Sequence, residues 1–273
     1  MSAAPFFIVS SGRSGTAMLH KALAAHPDVE MHHEYMVQVA QKLAVQRYLG
    51  LCDSREALKT LNETHGAAVR YSAAKHWGDS SNKVSWLIPE LATLLPEAKF
   101  VHLVRDGRKV AGSYFRKLGD ECYDDRSVGI LQAHYDDPAS VAAPPPEKKY
   151  WWPVPRQDDP LATRFRGFDQ FERICWHWAE VNRVIIDALT ALAPERHMFL
   201  RLEELQRSAE TAHALYDFLN LSYQDVNFSK PHNVNKPEDR LLDAGERARF
   251  DAIATPMMQR LGYAETAEYV VNY

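Results

Sequence analysis

Twice in this chain an apolar, strand-like run leads directly into a short polar loop and then into residues with helical spacing. The first run is Phe6 to Val9, followed by the loop SSGRSG and by apolar residues at helical spacing from Met18 to Leu23. The second run is Lys99 to Val104 (KFVHLV), followed by RDGRKVAGSY. Such units build parallel sheets, because the helix returns the chain for the next parallel strand. We therefore expect an α/β fold in three layers, with a central parallel sheet flanked by helices.

Other segments extend this pattern. Strands are predicted at Val29–Met31 and His197–Leu202. Helices are predicted at Glu34–Leu49, at Ser54–Glu63 with Ser54 as the N-cap, at Pro89–Leu95, and along an apolar stripe from Phe171 to Leu192. The 273 residues fit a single large domain. We take that domain to span residues 1–273, with one insertion.

The insertion covers about residues 138–160, where seven of the fifteen prolines lie. This density excludes a helix or a central strand, so we interpret the segment as a surface insertion. It also contains Tyr150, Trp151 and Trp152, which a plain linker does not need. These three rings are candidates for the flat apolar walls of a substrate site, whereas Trp178 on the long helix is expected in the core.

The composition excludes several partners. The net charge of −4 gives no overall attraction to a nucleic acid backbone or an anionic membrane, so neither is expected and any anion site must be local. Three widely spaced cysteines form neither a disulfide framework nor a metal-ligand pattern. No apolar run reaches the length of a membrane span, and the N-terminus does not resemble a signal peptide. The sequence therefore predicts a cytoplasmic protein.

The loop after the first strand has the composition of a phosphate-binding loop (P-loop). Its backbone N–H groups and the start of the next helix can hold an anion, and its glycines allow close approach. The alternative is an ordinary glycine turn with an exposed arginine. In a nucleotide triphosphatase the lysine of G-x-x-x-x-G-K-[ST] would stand where Thr16 follows Gly15, so the loop suits a single 5′-phosphate with a further leaving group better than a triphosphate. The candidate ligand-binding residues are Gly12, Arg13, Ser14, Gly15, Thr16 and Ala17.

The second unit supplies another anion site. Arg105 follows the strand at its carboxyl end, where open α/β sheets bind ligands, and Ser113 lies eight residues on, within the next helix. The alternative is a solvated turn whose arginines pair with nearby acids. Two such units would supply the separated sites that a bisphosphorylated nucleotide needs.

Together these motifs resemble the sulfotransferase family, particularly its bacterial members and the tyrosylprotein sulfotransferases. SGRSGTAMLHKALAAHPDV resembles the family's 5′-phosphosulfate loop, and FVHLVRDGRKVAGSY resembles its 3′-phosphate signature. FLRLEELQRSAETAHALYDFLNL is similar to a later strand, acidic turn and helix of the family. The two phosphate signatures occur in the family's order, about ninety residues apart.

The resemblance implies a P-loop-type fold and a donor, 3′-phosphoadenosine 5′-phosphosulfate (PAPS), that leaves as the 3′,5′-bisphosphate (PAP). It implies in-line transfer to a hydroxyl or amine of a small-molecule or carbohydrate acceptor, without a metal. It also places Arg105 and Ser113 at the 3′-phosphate, and Lys236 in a basic loop over the nucleotide. A P-loop phosphotransferase and a non-catalytic nucleotide-binding protein remain the alternatives.

In this family a base just beyond the first helix takes the acceptor proton. The sequence offers MHHEY, where Glu34 and His33 lie 21 and 20 residues beyond Arg13. Both residue types serve as general bases. We favour Glu34, then His33, with His32 a distant third. The alternative is a polar strand end with a solvated histidine pair.

One departure concerns charge at the leaving oxygen. The family commonly has a lysine in GDKTP, whereas WGDSSNKVSW has Ser80 at that place. Ser80, Ser81, Lys83 or the upstream Lys75 could substitute, or stabilisation could rest on Arg13. Losing one well-placed donor costs about 2.7–4 kcal/mol in comparable sites.

Overall fold

The computed structural model describes residues 3–226, 228 and 242–263. Within them the chain forms a five-stranded parallel sheet in the order β2-β3-β1-β4-β5. The strands are β1 (Ala4–Val9), β2 (Val29–His33), β3 (His76–Ser80), β4 (Lys99–Val104) and β5 (His197–Arg201). The predicted parallel α/β fold is confirmed.

Helices cover the sheet on both faces. In chain order they are α1 (Thr16–Ala24), α2 (Val37–Tyr48), α3 (Ser54–Leu61), α4 (Ala67–Tyr71), α5 (Ile88–Leu94), α6 (Gly107–Lys117), α7 (Asp125–Asp136), α8 (Ala162–Phe165), α9 (Gln170–Thr190), α10 (Leu202–Leu205), α11 (Ala209–Phe218) and α12 (Ala244–Arg260). A π-helical turn at Asn62–Gly66 joins α3 to α4. No described helix has the length and hydropathy that a bilayer crossing requires.

The three layers follow from the alternation of side chains along β1. Phe6 and Ile8 face the side covered by α1 and α11. Phe7 and Val9 face the opposite side, with α2, α5 and α9. Because every second residue of a strand points to the same face, β1 at the sheet's centre needs apolar residues at successive positions.

Two predicted helix starts differ from the structure. The side chain of Asp53, rather than Ser54, caps α3 and accepts a hydrogen bond from the Glu56 backbone N–H at 2.8 Å. Helix α2 begins at Val37 rather than Glu34, because Glu34 and Met36 both have left-handed backbone conformations, with φ of 55° and 48°.

The proline-rich segment is exposed at its start and buried over residues 150–155. Residues 137–143 are exposed, whereas Tyr150, Trp151 and Trp152 belong to the hydrophobic core. The Gln41 side-chain amide fixes the start of this buried part by donating to the backbone oxygens of Lys148 (3.0 Å) and Trp151 (2.8 Å). Trp178 is fully buried on α9. The single-domain interpretation stays a prediction.

Candidate active site

A cavity of about 480 Å³ lies at the carboxyl edge of the sheet. Parallel strands end together at this edge, so the residues that follow them converge on one place. The contributions of the five strands, in chain order, are Gly12, Arg13 and Gly15 after β1, Glu34 after β2, Asn82 and Lys83 after β3, Arg105 after β4, and Leu202 and Glu203 after β5.

The glycine loop is shaped by three left-handed residues: Gly12, Arg13 and Gly15, with φ of 82°, 55° and 97°. A Cβ atom at Gly15 would lie 2.7 Å from Cδ1 of Leu202, so the loop and the wall opposite it leave no room for a side chain. Helix α1 begins directly after Gly15, and its first N–H groups lack intrahelical acceptors by geometry. The loop therefore has the features of an anion cradle.

Five of the six predicted loop residues line the cavity, namely Gly12, Arg13, Gly15, Thr16 and Ala17. Ser14 does not, because its buried hydroxyl donates to the backbone oxygen of Gly12 at 3.1 Å and lies 3.1 Å from Ser11 Oγ. The Ser14 side chain thus braces the loop from within.

The second predicted anion site, at Arg105 and Ser113, contacts the first, which is the glycine loop. Arg13 Nε donates to Ser113 Oγ at 3.0 Å, and Arg105 Nη1 donates to the backbone oxygen of Arg13 at 3.1 Å. The two strand–loop–helix units thus form one continuous basic wall.

Lys109 joins this wall, and sequence analysis missed it. Lys109 and Ser113 both line the cavity and lie four residues apart on α6, which is the spacing of one helix face, and Arg105 lies just before that helix. That spacing could have identified Lys109. Burial lowers the pKa of the Lys109 ammonium, and the nearby Glu203 raises it.

Glu203 fixes the turn between β4 and α6, which carries Arg105. Its carboxylate accepts from the Asp106 backbone N–H at 3.0 Å and from the Tyr263 hydroxyl at 2.9 Å. Asp106 caps α6 by accepting from the Arg108 N–H at 2.9 Å. The turn that carries Arg105 is therefore tied through Glu203 to α10, which follows β5, and to Tyr263 beyond the end of α12.

Of the three candidate bases, Glu34 and His33 line the cavity and His32 does not. The backbone N–H of Glu34 donates to the Ser80 oxygen at 3.2 Å. His33 Nδ1 lies 2.9 Å from both Ser80 Oγ and the Ser80 backbone oxygen. His32 Nε2 instead lies 3.0 Å from the Glu30 carboxylate.

The loop after β3 places Asn82 and Lys83 beside Glu34. We assign the Asn82 amide with its nitrogen donating to Glu34 Oε1 at 3.0 Å and its oxygen accepting from Lys83 Nζ at 3.3 Å. Burial lowers the pKa of the Lys83 ammonium to about 8, and the Glu34 carboxylate partly opposes this shift. No sequence pattern singled out Asn82.

Among the possible substitutes for the family lysine, only Lys83 brings an ammonium to the cavity. Ser80 and Ser81 are fully buried and do not line it. Lys75 is exposed and pairs with Asp28 at 3.0 Å, away from the cavity.

The remaining lining of the cavity includes Trp152, Leu118, Glu121, Glu147, Lys148 and Lys149. Lys83 Nζ lies 4.2 Å from the centre of the Trp152 ring, in a cation–π contact that covers one face of that ring. Tyr150 and Trp151 do not reach the cavity, so the structure brings only Trp152 of the three predicted rings to it.

The cavity is positively charged although the whole chain is negative. Its lining includes the cations Arg13, Lys83, Arg105, Lys109, Lys148, Lys149 and Arg207 and the anions Glu34, Glu121, Glu147 and Glu203. This local excess favours an anionic ligand. Lys236, the remaining predicted ligand-binding residue, lies outside the described residues. The described part of the chain contains no cluster of three or more His, Cys, Asp or Glu that could hold a metal ion.

The fold and the cavity define a parallel α/β protein with a positively charged cavity at the carboxyl edge of its sheet. Residues 5–139 match the model of the sulfotransferase family. The chain belongs to this family.

Three solved structures share the fold at low identity. The sulfotransferase domain from the curacin biosynthetic pathway has a TM-score of 0.53 and 15% identity, over 97% of this chain and 99% of that one. The sulfotransferase domain from the Synechococcus PCC 7002 olefin synthase has a TM-score of 0.51 and 16% identity, over 94% of this chain and 95% of that one. A sulfotransferase from Alicyclobacillus acidocaldarius has a TM-score of 0.51 and 17% identity, over 96% of this chain and 94% of that one. A comparison with curated proteins found no match.

Proposed function

We propose that this protein transfers a sulfonate group from PAPS to a hydroxyl or amine of a small-molecule or carbohydrate acceptor, and releases PAP. One observation carries the proposal: Arg105 and Ser113 are both bonded to Arg13, so the two phosphate motifs line a single cavity. The cavity's excess of cations supports a doubly phosphorylated ligand.

In this reaction the acceptor atom bonds to sulfur as the bond from sulfur to the 5′-phosphate oxygen breaks, and the acceptor proton passes to a base. Negative charge then builds on the leaving phosphate. The loop N–H groups, Arg13 and the Lys83 ammonium are the groups that would stabilise that charge. This assignment gives Lys83 the role of the missing family lysine and requires no metal.

Glu34 remains our preferred base. His33 Nδ1 lies next to two oxygens of Ser80, which fix the ring, so His33 could act only through Nε2. Glu34 has one oxygen held by Asn82 and a second, Oε2, whose nearest cation is Lys148 Nζ at 3.8 Å. That second oxygen is the atom we propose to take the proton.

We take the part of the cavity lining formed by Trp152, Leu118, Glu121, Glu147, Lys148 and Lys149 as the acceptor site. It has charges of both signs and few apolar groups. Because Lys83 covers one face of Trp152, that face cannot stack on an aromatic acceptor. This favours a polar acceptor, such as a carbohydrate, whose hydroxyl groups can pair with Glu121, Glu147 or Lys148.

The proposal also includes Lys236 as a residue that binds the nucleotide. It includes a cytoplasmic location as well, which is supported by the three cysteines that form no disulfide.

A calorimetric titration with PAP in the absence of magnesium tests the proposal. We expect binding that magnesium does not improve, followed by sulfonate transfer from PAPS to one member of a panel of hydroxylated and amine acceptors. Preferential binding of ATP with magnesium would instead support a phosphotransferase, and PAP binding without any turnover would support a non-catalytic nucleotide-binding protein.

A further inference from the structure

We propose that Asn82 is a positioning residue that keeps the Glu34 carboxylate and the Lys83 ammonium apart, so that each is available to the reaction. The proposal rests on the proposed function for its catalytic meaning. Its geometric content is independent of that function, because it concerns two opposite charges in the protein alone.

Charge determines the orientation of the amide. Asn82 is 7% exposed, and its side chain lies between Glu34 Oε1 and Lys83 Nζ. With the nitrogen toward Glu34, one end donates to a carboxylate and the other accepts from an ammonium. The reverse orientation would place an oxygen against the carboxylate and a nitrogen against the ammonium. The amide thus satisfies both charges while occupying the space in which they would otherwise form an ion pair.

The amide also makes the two oxygens of Glu34 unequal. Oε1 accepts from Asn82, whereas Oε2 lies 3.8 Å from Lys148 Nζ, and the Glu34 side chain is 29% exposed. The backbone at Glu34 is held in its left-handed conformation by the bond from its N–H to Ser80. With the backbone and one oxygen fixed, the remaining oxygen is the one that an acceptor can reach.

Tyr114 extends this arrangement to the glycine loop. Its hydroxyl lies 3.2 Å from the Asn82 amide and 2.9 Å from the Ser11 backbone oxygen, and it shares its proton between these two acceptors. The position of the base is therefore set by the same loop that holds the donor phosphate.

The first test is the crystal structure of Asn82→Ala. We expect the Glu34 carboxylate and the Lys83 ammonium to move together into an ion pair, with Glu34 Oε1 within 4 Å of Lys83 Nζ. A Glu34 carboxylate that keeps its wild-type position would overturn the proposal. This outcome does not depend on catalysis, so it decides the proposal even if the wild-type protein fails to bind PAP and the proposed function falls.

The second test uses turnover in Asn82→Ala and Asn82→Asp. We expect Asn82→Ala to lower kcat by about tenfold to a hundredfold, with the Kd for PAP within twofold of wild type, because the loop and Arg105 are untouched. Asn182→Ala is the matched control: it removes another buried asparagine, which bonds His102 at 2.9 Å, and it should leave kcat unchanged. An equal loss of kcat in both alanine variants would contradict the positioning role.

Asn82→Asp keeps the shape of the side chain but places a second carboxylate about 3 Å from Glu34 Oε1. Within the described part of the chain, the charged and titratable groups beside Glu34 include Lys83, Lys148 and Tyr114, and His33 precedes it in sequence. Because like charges disfavour ionisation, we expect the acidic side of the pH–rate profile to move to higher pH by about one pH unit or more. A purely structural role would lower the rate equally at every pH, which would count against the proposal.

Discussion

Glu34 lines the same cavity as Arg13, Arg105 and Ser113, and in the proposed function it serves as the base and not as a phosphate ligand. We predict that Glu34→Gln, which keeps the size of the side chain, lowers kcat at least a hundredfold, in the range that general bases contribute. The Kd for PAP should stay within twofold in calorimetry. If nucleotide affinity collapsed instead, Glu34 would be a structural residue and His33 would become the candidate base.

The Lys83 ammonium must be charged to stabilise a leaving phosphate. Burial lowers its pKa to about 8, so the protonated form prevails below pH 8 and is lost as the pH rises through that value. We predict that kcat falls tenfold for each pH unit well above pH 8, measured as a pH–rate profile with saturating substrates. Lys83→Met should remove this alkaline decline together with most of the rate, whereas Lys75→Met, at an exposed lysine, should leave the profile unchanged.

Arg105 contributes a guanidinium at the point where the two phosphate motifs meet. We predict that Arg105→Ala weakens PAP binding by about tenfold to a hundredfold, as expected for one lost charge-assisted hydrogen bond of about 1.5–3 kcal/mol. Arg166→Ala, at an exposed arginine that pairs with Asp136, serves as the control. Calorimetry that gives equal Kd values for both variants would remove Arg105 from the ligand site.

At the scale of elements, the turn from β1 to α1 depends on Gly15. Alanine there would hold φ near 97° against its preference and place Cβ 2.7 Å from Leu202 Cδ1. We predict that Gly15→Ala abolishes measurable PAP binding in calorimetry while the protein remains folded by circular dichroism. Adding Leu202→Ala should restore part of the binding, because it relieves the clash but not the backbone strain. Gly129→Ala, at an open helical position, is the control.

Some elements were predictable from the sequence because their signals are local. β4 matches its predicted limits, since KFVHLV is a continuous run of strand-forming residues. β3 was missed, because HWGDS has only one large apolar residue. Its place between β1 and β2 supplies the pairing, and Gly78 is required there because a Cβ would lie 2.3 Å from the Phe6 ring.

The same difference explains the site. The glycine loop, Arg105 and Ser113 belong to contiguous motifs, so the sequence alone could predict that they share one site, and in the structure they line one cavity. The contact of Asn82 with Glu34 depends on where β3 ends beside β2, which no local pattern records. Tyr150 and Trp151 were candidate substrate residues because three adjacent rings suggest a binding surface, but their burial depends on the fold of the whole insertion.

At the scale of the whole molecule, the site imposes a cost on folding. Lys83 has an ordinary pKa of 10.5 and a folded pKa of about 8, so between these values the unfolded chain binds a proton that the folded protein does not. The buried charge therefore destabilises the fold below pH 8, by roughly 3 kcal/mol, and this penalty is relieved as the pH rises toward 10.5.

We predict from this linkage that Lys83→Met, although it loses most of its activity, is more stable than wild type at pH 7, by up to roughly 3 kcal/mol in denaturant unfolding. The difference should shrink steadily between pH 8 and 10.5. A variant that is less stable than wild type at pH 7 would show that the contacts of the ammonium with Asn82 and Trp152 outweigh the cost of its burial.

Gln41 pins the proline-rich segment at Lys148 and Trp151, and the exposed stretch 137–143 lies outside that attachment. We therefore expect changes in the length or sequence of this stretch to leave the position of Trp152 unchanged. Proteins built on this plan can therefore vary these seven residues while the residues that line the cavity keep their places. The stretch is accordingly a suitable point for grafting a recognition loop.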